Sequence, residues 1–350
     1  MTEVVILTGA YILDLLIGDP HWLPHPVRFI GWGIEKMEEV LRRERRTQNT
    51  EHRLKEKLAG ILLVIIIVGA TYSIFYALNS LLLTSRFPFL ISYLFFAILI
   101  YLTSTTLAIN DLVKSGKAVI DAVNRGDKEG ARRKLSMIVG RDTKELDDKG
   151  VLKAVIETLS ENASDGIIAP MFYFAIGGLP LAMAYKAVNT LDSMVGYRNE
   201  KYKNFGWASA RLDDVVNFIP ARITGALIII ATTILSSINK LMRVLNIGSN
   251  RSTGLKCSNS LNILLRDGRK HLSPNSGIPE AAMAGALGVR LGGPSFYAGM
   301  LVEKPYIGEE KSGVKEMYSN ASENAISIVK ITSLFGFGLA LILLYMRNIL

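Results

Sequence analysis

The chain has 350 residues, 49% of them hydrophobic, with a mean hydropathy of +0.29 and a formal charge of +9, which is more apolar material than one soluble core of this length uses. One cysteine and four scattered histidines argue against a disulfide framework and against a Cys/His zinc site. The basic residues interleave with acids, as in EKMEEVLRRERR, without aromatic stacking positions, so no nucleic-acid partner is expected and membrane lipid is the natural partner of the excess charge.

These properties predict an all-α, polytopic integral membrane helical bundle, a single membrane-embedded domain over 1–350 with about four to six spanning helices. A short apolar helix over 4–17 opens the chain; it has no basic flank or cleavage-type sequence and is read as retained. The following GDPHWLPHPVRFIGWG holds three prolines within seven residues, which exclude a regular helix and predict a stiff interfacial segment carrying Asp19, His25 and Arg28. Residues 34–57 form a charged helical connector with eight Lys or Arg, placed in the cytoplasm by positive-inside logic. The uncharged runs 58–83 and 87–110 are each long enough to cross a bilayer as a helix. The second cytoplasmic connector, 111–153, reads as two amphipathic helices separated at Gly126 and Asp127, with a structural role.

The stretch 155–222 gathers the polar chemistry. On a helix, Glu157 and Glu161 stand i,i+4 and Asp165 one step further along the same face, a stripe that repels itself by about 0.2–0.5 kcal/mol per pair in water. It reads either as a site for Mg²⁺ or a cationic substrate group, or as a solvated face countered by Lys149 and Lys153. Ser164, Asp165 and Gly166 suggest a turn into an apolar segment interrupted at GGLP, where the chain either crosses or turns back as a re-entrant hairpin. The same choice applies to 215–238, which Pro220 and Arg222 interrupt. Lys186, Asn189 and Asp192 follow the first break, then Arg198, Arg211, Asp213 and Asp214. Acids suit a metal or an amine and guanidinium or ammonium groups suit phosphate, so the mixture points to a phosphorylated substrate with its metal. Residues 239–260 carry no assignable chemistry. The segment 271–290, HLSPNSGIPEAAMAGALGVR, contains Asn275 and Glu280 and a small-residue helix whose first turn suits Pro279. A final membrane helix covers 326–346.

No Walker A sequence, GxGxxG after a strand, HExxH or Ser/His/Asp signature is present. Composition alone leaves a membrane enzyme performing phosphoryl or acyl transfer beside a membrane transporter or binding protein for a phosphorylated ligand.

The blocks GDPHWLPHPVRFIG, ETLSENASDGIIAPMFY, GGLPLAMAYKAVNTLDSMVGYRNEKYKNFGWASARLDD, IPARIT and SPNSGIPEAAMAGALGVRLGG together resemble the cobalamin-biosynthesis CobD/CbiB family, the adenosylcobinamide-phosphate synthases, in colinear order from Gly18 to about Gly293. The resemblance implies a multi-pass cell-membrane enzyme with its active site facing the cytoplasm. It would join a carboxyl of the corrinoid adenosylcobyric acid to aminopropanol or its phosphate as an amide, using ATP and Mg²⁺, among other cobalamin-assembly enzymes at the membrane. A transporter or binding protein for a corrinoid is the competing reading. Matching positions are Asp19, His25 and Arg28; Glu157, Glu161, Asn162 and Asp165; Asn189, Asp192, Arg198, Arg211, Asp213 and Asp214; and Asn275 and Glu280. Beside that resemblance we assign Glu157, Glu161 and Asp165 to Mg²⁺, Arg198 and Arg211 to phosphate, and Asp192 or Asp213 to metal or the incoming amine, with Glu157, Glu161, Asp192 and Asp213 as the catalytic set. Lys186 and Arg222, charged within apolar sequence, join the substrate-binding set.

Overall fold

The computed structural model describes residues 2–20, 22–42, 50–84, 89–197, 199–245, 255, 257–297, 299–310 and 315–349. Among these the chain is helical nearly throughout, with four three-residue strands near the C-terminal third. Four helices are long and apolar enough to cross a membrane, Arg53–Leu83, Asp148–Val195, Phe218–Val244 and Glu316–Ile349. A fifth span is counted if Ile91–Ser104 and Ile109–Asn124 form one broken crossing. The chain is thus an all-α polytopic membrane protein, as its hydropathy requires. Leu62, Ile65, Ile74 and Leu81 lie exposed along one such helix, a surface that only lipid or a partner would tolerate.

The chain divides into two compact units. The first comprises 1–108, 169–217 and 337–350. Its helices are α1 (Thr2–Leu16), α2 (Pro26–Arg42), α3 (Thr50–Thr84), α4 (Phe89–Ser104), α8 (Ala169–Val195) and α9 (Trp207–Val216). Pro26 opens α2, where its fixed φ suits a first turn and its missing N–H costs nothing. The run 87–110 is not one continuous helix, since α4 ends at Ser104. Ser104, Thr105 and Thr106 each donate their hydroxyl to the carbonyl three residues back, at 2.7–2.8 Å, and so compete with the helical ladder.

At GGLP, α8 is broken by non-helical backbone at Gly177 and Gly178, the latter at φ 64° and ψ −161°. Such a break frees carbonyls that need partners away from water. Arg347 supplies one by donating to the Ala175 carbonyl at 3.1 Å, and it also pairs with Glu3.

The second unit comprises 109–168 and 218–336. It contains α5 (Ile109–Asn124), α6 (Lys128–Ser136), α7 (Asp148–Ala163), a π-helical turn (Ser164–Ile168), α10 (Phe218–Val244), α11 (Cys257–Asp267) and α12 (Gly277–Leu287). Asp127 caps α6 and Asp147 caps α7, each accepting the N–H three residues on at 2.7–2.8 Å. Strands β1 (Arg290–Gly292) and β4 (Tyr306–Gly308) pair antiparallel, as do β2 (Ser295–Tyr297) and β3 (Met300–Val302). The last helix, α13 (Lys315–Ile349), begins in this unit and ends in the first.

Every residue of α12 is buried. Its small side chains allow close neighbours: a Cβ added to Gly285 would meet the Asn259 carbonyl and Ser260, and one added to Gly225 of α10 would meet Ile278 and Leu264. Two local expectations are corrected here. Ser164, Asp165 and Gly166 do not turn the chain but form the π-helical turn, and Pro220 and Arg222 do not interrupt a helix but lie in the first turns of α10.

Candidate functional site

A polar enclosed space lies within the second unit. It is a cavity of about 200 Å³ walled by Glu157, Thr158, Glu161 and Asn162 of α7, by Arg141 of the loop before it, by His271 and Glu280, and by Ser295, Tyr297 and Lys304 of the strand region. Helical spacing explains the α7 wall, because residues 157, 158, 161 and 162 fall on one face.

Among the carboxylates of the cavity, Glu157 is held at both oxygens. Its Oε1 accepts the Gly292 N–H at 2.7 Å, and its Oε2 pairs with the Arg141 guanidinium. One turn earlier Lys153 donates to the Gly292 carbonyl, so α7 holds both polar groups of a residue at φ 70°, a conformation suited to glycine. Burial pulls on the charge of Arg141, but the attraction and hydrogen bond of Glu157 more than offset it and raise its pKa. The counter-charge to the acidic stripe is therefore Arg141. Lys149 instead pairs with Glu310 at 2.5 Å.

Glu161 accepts the Ser276 hydroxyl at 3.0 Å, and Asn162 donates its amide to the Thr158 carbonyl at 3.0 Å. Glu280 is buried in the first turn of α12. Burial, then the neighbouring charges of Glu157 and Glu161, push its carboxyl well above the usual range. Lys304 rests on Tyr297, hydroxyl to ammonium 2.5 Å, and among the described residues it meets no carboxylate. Arg222 donates to Asn275 Oδ1 at 2.6 Å and to the Pro274 carbonyl at 3.2 Å, fixing the SPN turn that leads into α12.

Asp165 is not among the residues lining this cavity. It lies in the π-helical turn at 164–168, whose winding differs from that of the α7 face carrying Glu157 and Glu161. No group of three or more His, Cys, Asp or Glu side chains is gathered to hold a metal ion among the described residues.

The other expected residues fall in the first unit. Asp19 and His25 lie 3.2 Å apart, and His25 and Arg28 line a shallow pocket with Phe29 and Trp32. Asp213 accepts the Asn217 amide at 2.9 Å and Asn217 accepts the Tyr185 hydroxyl at 2.8 Å, while Arg211 stands 3.7 Å from Asp214. Lys186, Asn189 and Asp192 are half-buried along the end of α8. Arg198 lies outside the described residues. The stretch 155–222 therefore divides, 155–168 and 218–222 in one unit and 169–217 in the other.

Arg141, Tyr297 and Lys304 were absent from the expected set, and His271 lay in an expected block without being singled out. Arg141 sits in a connector read as structural. Its sequence signal was an arginine in VGRD, between glycine and acid and just after the apolar MIV. Asp142 ties that loop to the strands by donating its N–H to the Phe296 carbonyl at 2.9 Å and accepting the Gly299 N–H at 2.7 Å.

Fold and cavity together define a polytopic helical membrane protein with an enclosed site of mixed charge. The chain belongs to the CobD/CbiB protein family, whose profile matches residues 7–329. It is 48% identical over 311 residues to the Geobacter metallireducens cobalamin biosynthesis protein CobD, covering 88% of each chain. The proteins of the same name from Clostridium perfringens and Listeria monocytogenes serovar 1/2a are 42% and 40% identical, with 98% of both chains covered in the first case and 95% and 96% in the second. No solved structure matches the chain.

Proposed function

We propose that this protein acts in cobalamin biosynthesis as an ATP-dependent ligase of the cell membrane, joining a carboxyl of adenosylcobyric acid to aminopropanol phosphate, or to aminopropanol, as an amide. Membership of the family and the names of its relatives support the pathway. The observation that carries the chemistry is the cavity, in which Glu157, Glu161 and Glu280 meet Arg141, His271 and Lys304. An ammonium on one substrate has carboxylates to meet, and phosphate oxygens have a guanidinium and an ammonium.

The residues fit Mg²⁺ in a restricted sense. That ion is commonly held by one or two carboxylates together with substrate phosphates, without a dedicated protein cage. Glu161, whose Oε1 meets only a serine hydroxyl among the described residues, suits that role better than Glu157, which Arg141 and Gly292 already engage. When bound, Mg-ATP would supply the phosphoryl group that activates the carboxylate. Arg141 and Lys304 would orient and neutralise phosphate oxygens, and the enclosed walls would limit water at the activated carbonyl. Asp19, His25, Arg28, Lys186, Asn189, Asp192, Arg211, Asp213 and Asp214 are proposed to serve the larger substrate or its delivery, with the working face toward the cytoplasm and other cobalamin-assembly enzymes as neighbours.

The test is product analysis. Membranes holding the protein, supplied with adenosylcobyric acid, aminopropanol phosphate and Mg-ATP, should yield the amide by mass, and Glu161→Gln and Lys304→Met should each lower the rate at least ten-fold. Well-folded protein that moves a corrinoid into sealed vesicles without changing its mass would show a transporter instead.

A further inference from the structure

The two ring nitrogens of His271 have different surroundings. The Ser273 N–H points at Nδ1 from 3.0 Å, and a nitrogen that accepts that bond must offer its lone pair. Nε2 lies 3.9 Å from Glu280 Oε1, beyond hydrogen-bond length, and the ring forms part of the cavity wall.

A neutral imidazole carries one proton, so occupation of the Nδ1 lone pair leaves that proton on Nε2. Forming the imidazolium would require a second proton on Nδ1 and the loss of the Ser273 bond. We infer that His271 is locked as the Nε2–H tautomer and works as a neutral hydrogen-bond donor to a substrate oxygen in the cavity, not as a general base. The oxygen suited to it is a carbonyl or phosphoryl oxygen that gains negative charge during acyl transfer, where a fixed donor outside bulk water stabilises most. His271 gives up no proton in this role; the proton of the incoming amine leaves to a cavity carboxylate or to solvent.

The titratable and charged groups that share the cavity with the ring are Glu157 and Glu161 of α7, Arg141 of the loop before it, Glu280 of α12, and Tyr297 and Lys304 of the strand region. Burial pushes the imidazole pKa down and Lys304 adds to that, against the opposing pull of Glu161 and Glu157. The net direction agrees with a neutral ring. The identity of the recipient oxygen rests on the proposed amide-forming reaction, whereas the tautomer does not.

The experiment uses the full-length protein in lipid nanodiscs with ¹⁵N-labelled imidazole rings, the His271 signals assigned by their disappearance in His271→Gln. At pH 7.5 a protonated Nε2 and an unprotonated Nδ1 are expected; an Nδ1–H tautomer or an imidazolium overturns the inference. In the activity arm, His271→Leu should lose about 10²-fold or more, the scale of a removed oxyanion donor. His271→Gln, whose amide N–H reaches the position of Nε2, should restore most of that loss. Equal loss in both variants, at matched folded fraction, would show that the ring's basicity is needed and would refute the donor role. Absence of turnover in the wild-type protein would defeat the amide-forming reading alone, since the nitrogen spectra still decide the tautomer.

Discussion

Removing Arg141 should destabilise the second unit through Glu157. The two side chains are only 13% and 7% exposed, so Arg141→Met leaves a carboxylate that solvent reaches poorly. Breaking a buried pair by deleting one partner costs about 3–5 kcal/mol. Here Glu157 keeps the Gly292 N–H at 2.7 Å, a charge-assisted bond that still shields one oxygen, so about 3 kcal/mol, the low end of the range, is expected. Glu157→Gln should cost less, because its amide oxygen can still accept from Gly292. The double variant carries neither charge and should be more stable than Arg141→Met. The coupling between the sites is then about 2 kcal/mol, measurable by unfolding the four proteins in mixed micelles and following helicity by circular dichroism. Single effects that add to within about 0.5 kcal/mol would mean that the pair is not energetically coupled and that Arg141 is not the counter-charge of the stripe.

Glu280 predicts a pH dependence. Its folded-state pKa is raised, so the folded protein holds a proton that the unfolded chain releases above about 4.3, and the associated stability is present below that pH and lost as pH rises toward the folded value. Melting temperature should fall over this range in the wild type, and Glu280→Gln should flatten the slope; an unchanged slope would remove Glu280 as its source. At the break in α8, Gly178→Ala places a Cβ at φ 64° and 2.9 Å from Glu3 Oε1, and should cost about 1–3 kcal/mol by the same unfolding assay. Gly69→Ala in α3, where nothing lies within 4 Å of an added Cβ, should be neutral or gain up to about 1 kcal/mol, and a loss matching that at Gly178 would contradict the backbone explanation.

Helix and membrane character were legible because they depend on local order. Long uncharged runs have to hydrogen-bond their own backbone in lipid, and the caps at Asp127 and Asp147 lie three residues from the N–H groups they accept. The helical face carrying Glu157 and Glu161 was readable from spacing, and both line the cavity; Asn162, which the family resemblance supplied, lines it too. Asp165 lies in a π-helical turn and outside the cavity lining, and the sequence SDGII does not announce that winding.

Serine and threonine hydroxyls ended α4 inside a run whose apolarity alone suggested a full crossing. Hydropathy does not register that competition. The counter-charge was also beyond reach from sequence. Lys149 and Lys153 are near the stripe along the chain, yet Arg141 reaches Glu157 from a loop that Asp142 ties to strands more than 150 positions later.

The sequence by itself determined a polytopic helical chain and the residue types from which a charged site could be built, because spans and helix faces follow from neighbours within a few turns. Only the tertiary structure decided which of those residues meet. Arg141, His271 and Lys304 stand far apart along the chain, and they share a wall with Glu157 because their loop, turn and strand region converge on α7 and α12, where burial makes each charge depend on the others.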